Sequence, residues 1–132
     1  MDRQRELSII RAAYAKQILA IAGVDNARLA AAFGATFRED FLGPGPWPIF
    51  RFFRGGYAPT PDADPFYLYT DDLIGILPER HINNGQPSLH AYLIHRASPA
   101  AGERVVHIGA PARAITPPSW PTSSDRQAGL PE

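Results

Sequence analysis

The most restrictive feature of the sequence is an apolar segment near its C-terminal end that is followed by prolines. Residues 104–108 read Arg-Val-Val-His-Ile, and Gly109 follows directly. This pattern is typical of a buried parallel strand that runs into a glycine turn. A helix normally continues such a unit, but Pro111 and further prolines at positions 117, 118 and 121 prevent one here. The sequence therefore predicts the start of an α/β unit without its continuation.

The charge and composition of the chain exclude several classes of protein. The 13 basic and 13 acidic side chains give a formal net charge of zero, and the arginines are scattered, so we expect no nucleic-acid partner. Cysteine is absent, which excludes disulfides and thiolate metal sites. The first residues are too polar for a signal peptide, and no apolar run reaches membrane-spanning length. We therefore expect a cytoplasmic protein with no membrane partner.

The N-terminal third of the sequence has helical periodicity. Apolar residues at positions 7, 10, 14, 18 and 21 recur every three or four residues, which predicts a helix over residues 3–22 that Gly23 terminates. Asp25 is expected to cap a second helix over residues 26–33. A short turn over residues 38–42 is then predicted, because the Gly-Pro-Gly-Pro sequence after it stops any helix.

The middle of the chain is less regular. Residues 49–53 and 66–69 have the composition of short strands, and residues 73–77 form a further apolar run. Residues 57–65 contain three prolines and two aspartates. They predict a surface loop in which the aspartates accept local backbone hydrogen bonds. We assign no catalytic role to these aspartates or to the pair at Asp71–Asp72.

A polar turn before a predicted helix is the strongest candidate site. Residues 83–88, Asn-Asn-Gly-Gln-Pro-Ser, place amides, a glycine and a hydroxyl at the N-terminus of a helix that continues to Arg96. A helix N-terminus attracts a carboxylate or a polar backbone group, and Ser88 is expected to cap this helix. A capped turn with surface amides would have the same sequence, so both interpretations stay open. The four histidines lack the spacing of shared metal ligands, and we expect no metal.

Four phrases of the sequence, taken in order, resemble the protein-L-isoaspartate O-methyltransferase family. That family combines a helical phrase like VPREDFL, a Tyr-x-Asp stretch, a GQTIS-like turn that opens a helix, and a strand of the type GxRVLEIGxGxGY. The first to fourth phrases here are AAFGATFREDFLGPGPW at Ala31–Trp47, YTDDLIGI at Tyr69–Ile76, NNGQPSLHAYLI at Asn83–Ile94 and GERVVHIGA at Gly102–Ala110. The resemblance extends over residues 1–110, and the order of the phrases is more specific than any single phrase.

The resemblance implies a class I S-adenosylmethionine-dependent methyltransferase. Such an enzyme methylates the carboxylate of an isomerised aspartyl residue in a protein or peptide, which initiates protein repair. The implied fold class is α/β, a truncated Rossmann-like methyltransferase fold that contains the N-terminal helices and the first parallel strand. The implied site residues are Ile108, Gly109 and Ala110 for the cofactor, Asn84, Gly85 and Gln86 for the substrate, and Ser88 for catalysis.

The chain departs from the family pattern in three respects. The third phrase reads Gln-Pro-Ser-Leu where the family has Gln-Thr-Ile-Ser, so a strict alignment puts Leu89, rather than Ser88, at the family serine. His107 stands where the family usually has glutamate beside the cofactor. After Ala110, the remaining glycines, the ribose-binding acid and the other strands do not follow. We therefore expect this chain to be an inactive, truncated form.

Residues 111–132 are expected to be a disordered tail, separate from the methyltransferase-like residues 1–110. Their proline, serine and threonine content is typical of disorder. A frameshift is a second interpretation. Codons can be chosen for residues 111–122 whose neighbouring frame encodes Ala-Gly-Thr-Gly-Tyr-Tyr-Thr-Ala-Ile-Leu-Ala-His, the glycine loop and helix start of the family. Both interpretations stay open.

A second class of function is also compatible with the sequence. The aromatic stretch Trp47–Tyr57 contains the rings of Phe50, Phe52, Phe53 and Tyr57. If exposed, these rings would form an apolar patch on a non-catalytic α+β module that binds a partner. The same rings would close over a small core if they were buried, so their exposure decides between the two arrangements.

Overall fold

The computed structural model describes residues 2–106. These residues form three α-helices, α1 (Arg3–Ala22), α2 (Ala27–Ala35) and α3 (Pro87–Ala97), and four short strands, β1 (Pro48–Arg51), β2 (Gly56–Pro59), β3 (Gly75–Leu77) and β4 (Ile82–Asn83). Short 3₁₀ turns lie between them at Arg38–Phe41, Phe52–Arg54, Pro65–Leu68 and Pro78–Arg80. The helices and the strands each contribute a small hydrophobic core.

The structure of α1 confirms the helix predicted from its periodicity. Tyr14 and Ile18 are buried, and they belong to the core that α1 shares with α2 and α3. Gly23 ends the helix with φ +65°, a left-handed conformation that glycine adopts without a steric penalty. Ile21 is 61% exposed although the periodicity includes it, because Leu19 forms the buried side at this end of the helix.

The second helix starts one residue later than predicted and has a different cap. The Asn26 side-chain oxygen accepts a hydrogen bond from Leu29 N–H at 3.0 Å. Asn26, and not the exposed Asp25, therefore caps α2. Leu29 and Phe33 are buried in the core shared with α1, where the Tyr14 and Phe33 ring centroids lie 6.2 Å apart. This packing buries one side of α1.

The strands form two antiparallel pairs that a single bridge connects. In the β1–β2 hairpin, Pro48 pairs with Pro59 and Arg51 with Gly56. β3 and β4 form the second pair, and a bridge between Ile49 and Ile74 joins it to β1. The core of this region consists of Trp47, Ile49, Leu68 and Ile74.

The fold class predicted from the sequence is confirmed only in its coarse form. Helices and strands are both present, but the strands within residues 2–106 pair antiparallel, and that range contains no Rossmann-like parallel sheet. Residues 104–106, predicted as the start of the first parallel strand, have no strand partner among the described residues. A strand requires a neighbour for its backbone hydrogen bonds. The predicted cofactor residues Ile108, Gly109 and Ala110, and the predicted tail 111–132, lie outside the described range.

In the middle of the chain, local side-chain chemistry explains why the observed elements differ from those predicted from the sequence. The sequence predicts a strand at residues 66–69, but Pro65–Leu68 is a 3₁₀ turn. A proline begins it, and the Asp64 carboxylate caps it by accepting a backbone N–H at 2.9 Å. The start of the predicted loop 57–65 belongs to β2. The expected role of its aspartates is confirmed, because Asp62 also accepts a backbone N–H at 2.9 Å.

Candidate functional site in the turn before α3

The polar turn predicted as the candidate site lies between β4 and α3. Pro87 begins α3, where its missing N–H leaves no helical hydrogen bond unmade. Gln86 precedes it and provides no side-chain cap for the helix. Ser88, which the sequence predicts as the cap, lies inside the first turn and is only 7% exposed. The N-terminus of α3 is therefore not capped by its own turn.

Asp71 supplies the missing cap from 17 residues earlier in the chain. One of its carboxylate oxygens, Oδ1, accepts from Ser88 N–H at 2.7 Å, and Oδ2 accepts from the Ser88 hydroxyl at 2.7 Å. Oδ2 also accepts from the Gln86 side-chain amide at 3.0 Å. Free N–H groups and the helix dipole stabilise a carboxylate at this position. The turn thus binds a carboxylate, and that carboxylate belongs to the chain itself.

Asn84 and Gly85 shape the turn. Asn84 is 4% exposed and hydrogen-bonds Ile74 twice. Asn84 N–H donates to the Ile74 carbonyl, and Ile74 N–H donates to Asn84 Oδ1, each at 3.0 Å. Gly85 has φ +77°, and a Cβ at this position would collide with the His90 ring. Glycine satisfies both constraints because it has no Cβ and tolerates positive φ.

Few groups of the turn remain available to a ligand. Gln86 is exposed and uses one amide donor on Asp71, so it retains a second donor and its carbonyl oxygen. Asn83 is half-buried. Its Nδ2 donates to the Tyr57 hydroxyl at 3.0 Å, and its Oδ1 accepts from Gly85 N–H at 2.9 Å. A ligand at this turn would therefore meet the Gln86 amide first, which can hydrogen-bond a carboxylate or a peptide backbone.

The segment that carries Asp71 is fixed along its whole length. This segment, Thr70–Ile74, is called the Asp71 segment below. Thr70 contacts Arg38, Asp71 contacts α3, and Asp72 contacts Arg51. Leu73 contacts Phe50, and Ile74 contacts Asn84. The Asp71 segment therefore joins the helices, the β1–β2 hairpin and the polar turn, and it sets the position of the Asp71 carboxylate.

A buried cation lies beside the Asp71 segment. Arg38 is 1% exposed and donates to the carbonyl oxygens of Leu68 and Thr70. Its guanidinium carbon lies 5.3 Å from the centre of the Tyr14 ring. Burial lowers the pKa of Arg38, and the neighbouring tyrosines and Asp71 oppose this effect. Burial also raises the pKa of Tyr14 to about 12.

The structure brings together only some of the residues that the sequence predicts for the site. Gln86 and Ser88 meet at the Asp71 carboxylate, whereas the Asn84 side chain is directed towards Ile74. Sequence reasoning missed Asp71. The signal was its place in the second phrase, because Tyr69-Thr70-Asp71 is the Tyr-x-Asp stretch of the resemblance.

Residues 2–106 contain no group of three His, Asp or Glu side chains that could hold a metal ion. Within the same range, no helix has both the length and the apolar character needed to cross a membrane. Comparisons of the chain with protein-family models, with curated proteins and with solved structures found no match.

Proposed function

We propose that residues 2–106 form the substrate side of an S-adenosylmethionine-dependent methyltransferase of the isoaspartyl-repair type. Such an enzyme transfers a methyl group to the carboxylate of an isomerised aspartyl residue in a protein or peptide. One observation carries the proposal. The first phrase lies apart from the other two in the chain, yet it contacts the second at Tyr69 and Thr70, and the second contacts the third at Asp71.

Hydrogen bonds connect the first phrase to the second and the second to the third. Glu39 of the first phrase accepts from the Tyr69 hydroxyl of the second at 2.5 Å, and Arg38 donates to the Thr70 carbonyl at 3.0 Å. Asp71 of the second phrase accepts from Ser88 of the third. The three phrases therefore meet in the folded chain. Their contact supports the view that they act as one unit.

The chemistry of the reaction suits a rigid polar turn. A carboxylate is already ionised at neutral pH, so methyl transfer to it requires the acceptor to be held in line with the donor rather than deprotonated. In this proposal the Gln86 amide orients such an acceptor, and the hydrogen bond from its nitrogen to Asp71 at 3.0 Å supports this role. Asn84 and Ser88 are both buried, and their part in the proposal is to hold the turn.

S-adenosylmethionine would supply the methyl group. The resemblance assigns Ile108, Gly109 and Ala110 to the start of its binding loop, and these residues lie outside the described range. Of the glycines of that loop, the sequence contains only Gly109. We therefore expect no detectable turnover by this chain alone, and measurable methyl transfer to an isoaspartyl peptide would contradict that expectation.

Calorimetric titration with two matched peptides tests the substrate side. One peptide contains an isoaspartyl residue, and the other has a normal aspartyl residue at the same place. We expect the isoaspartyl peptide to bind at least about tenfold more tightly, a difference of about 1.4 kcal/mol. Gln86→Ala should remove this preference, whereas Gln4→Ala, on the exposed side of α1, should leave it unchanged.

The same titration can contradict the proposal. Circular dichroism first establishes that each variant keeps its helices, since Gln86 also hydrogen-bonds Asp71. Equal affinity for the two peptides, or no binding by a folded chain, would exclude a substrate site at this turn.

Exposed rings at the end of the β1–β2 hairpin favour a second candidate, a non-catalytic module that binds a partner. The side chains of Phe52 and Phe53 are 85% and 107% exposed. Phe50 packs between Phe52 and Tyr57, with ring centroids 5.2 and 5.4 Å away. Exposed aromatic rings of this kind are typical of contact surfaces. The double variant Phe52→Ser/Phe53→Ser separates the candidates, because only the substrate-side proposal predicts that the isoaspartyl preference survives it.

A further inference from the structure

Asn84 and Gly85 form the only Asn–Gly pair in the chain. In such a pair the backbone nitrogen of the glycine can attack the asparagine side chain, because glycine has no Cβ to hinder the approach. The new bond joins Gly85 N to Asn84 Cγ, the bond from Cγ to Nδ2 breaks, and ammonia leaves. Water then opens the resulting succinimide at either carbonyl and yields aspartate or isoaspartate. Water is the only co-reactant.

The folded turn holds the attacking nitrogen and the target carbon in place. Gly85 N–H donates to Asn83 Oδ1 at 2.9 Å, so the proton that must leave during the attack is hydrogen-bonded. Asn84 Oδ1 accepts from Ile74 N–H at 3.0 Å, and Asn84 N–H donates to the Ile74 carbonyl. The carboxamide is therefore fixed on Ile74 and cannot turn freely towards Gly85.

The leaving group is also kept from water. Asn84 Nδ2 is buried and has no hydrogen-bond partner among residues 2–106, so ammonia would have to depart from a position that solvent does not reach. The His90 ring lies against the α-carbon of Gly85 and restricts rotation of the backbone there. Every atom that the reaction needs is present, but hydrogen bonds and burial restrict the movements that the reaction requires.

We propose that Asn84 is a spontaneous deamidation site that the folded turn protects and that opening of the turn exposes. The product prevents the turn from closing again. Aspartate would put a carboxylate where the side chain is now 4% exposed, and burial of an unpaired charge is strongly unfavourable. Isoaspartate would lengthen the backbone between Asn83 and Gly85. A transient opening would thus become a permanent loss of the turn that carries Gln86 and Ser88.

Mass spectrometry of two tryptic peptides tests the proposal, and the second peptide, residues 17–28, contains the control Asn26. Cleavage after Arg80 and Arg96 releases residues 81–96, and fragmentation distinguishes Asn83 from Asn84. The protein is incubated in native buffer and in concentrated urea, and the mass increase of deamidation is followed over time. Asn83 and Asn26 are internal controls, because the residue after each carries a Cβ. In urea we expect the reaction at Asn84 to be much faster than at either control.

In native buffer we expect the reaction at Asn84 to be at least about tenfold slower than in urea, the ratio that an opening free energy of about 1.4 kcal/mol produces. Asn83→Ala removes the hydrogen bond to Gly85 N–H. It should raise the native rate and leave the rate in urea unchanged. Tyr57→Phe is the matched control, because it removes the bond between Tyr57 and Asn83 and keeps the bond between Asn83 and Gly85.

Two results would overturn the proposal. Equal rates for the wild-type protein in native buffer and in urea would show that the fold does not protect Asn84. An unreacted Asn84 in urea would show that the pair is not a modification site. Both comparisons use the wild-type chain, so they decide the question even if Asn83→Ala does not fold.

Discussion

Arg38 holds the start of the Asp71 segment. Its guanidinium donates to the carbonyl oxygens of Leu68 and Thr70, while its Nε and Nη2 atoms are buried without a hydrogen-bond partner among the described residues. Its charge is balanced at longer range, in part by Asp71 and Asp72. A buried cation held in this way fixes the backbone before the polar turn, because both carbonyls would lose their donor without it.

Replacing Arg38 should therefore destabilise the protein. Arg38→Met keeps much of the side-chain volume but leaves two carbonyl oxygens unsatisfied, and we expect the free energy of unfolding to fall by about 3 kcal/mol. Arg54→Met is the matched control at an exposed position, with an expected change within about 0.5 kcal/mol. Urea denaturation measures both. Equal stabilities of the two variants would contradict the role given to Arg38.

Tyr14 gives the protein an alkaline instability. Burial raises the pKa of Tyr14 from its ordinary value of 10.0 to about 12, so the folded state binds the phenolic proton more tightly than the unfolded state does. The contribution of this tighter binding to the free energy of unfolding is fully present below pH 10 and is lost as the pH rises through about 12. Between about pH 9 and pH 11, the wild-type protein should lose about 1 kcal/mol more stability than Tyr14→Phe. Tyr92→Phe, at an exposed ring, should behave like the wild type. Parallel losses in all three proteins would contradict the assignment.

At the scale of elements, α3 differs from α2 in the origin of its cap. The cap of α2 is Asn26, the residue directly before the helix, whereas Asp71 caps α3 from outside its own turn. A local cap forms together with its helix. The cap of α3 forms only after the Asp71 segment has reached its place. The folding of α3 is therefore coupled to that of the helices and the hairpin that hold this segment.

The role of Asp71 as the cap of α3 can be tested by comparison with Asp25, an aspartate that does not cap a helix. Asp71→Ala removes the acceptor of two hydrogen bonds from Ser88, and we expect a loss of about 2 kcal/mol in the free energy of unfolding. Asp25→Ala should change it by less than about 0.5 kcal/mol, because Asn26 caps α2. Native-state hydrogen exchange at the Ser88 amide should accelerate in Asp71→Ala alone. An unchanged rate there would show that Asp71 is not the cap.

At the scale of the whole molecule, the sequence predicts those elements whose bounds depend on the local spacing of residues. The bounds of α1 follow from its periodicity and from Gly23, because a helix satisfies its hydrogen bonds within itself. The strands are two to four residues long, and their pairing depends on neighbours that local composition does not specify. Residues 66–69 show that local composition alone does not predict a strand, since their strand-like side chains lie in a 3₁₀ turn.

The candidate site was predictable only in part for the same reason. The turn before α3 could be found because its glycine, amides and proline are local signals. The Tyr-x-Asp stretch marks Asp71 in the sequence, but its role as the cap of α3 could not be predicted, because that role depends on a contact across 17 residues that requires the intervening strands to be in place. The inward direction of Asn84 likewise depends on Ile74, which lies on another part of the chain.

The nucleotide sequence of the gene is the sharpest test of our proposal that residues 2–106 belong to a methyltransferase. The measurement is to sequence the gene from the codon of His107 onwards and to translate all three forward frames. We expect the neighbouring frame to encode Ala-Gly-Thr-Gly-Tyr-Tyr after Ile108-Gly109 and to continue into further strands, helices and a ribose-binding acid. Neighbouring frames that are closed by stop codons, with the proline-rich residues 111–132 confirmed, would contradict it and would favour the partner-binding module.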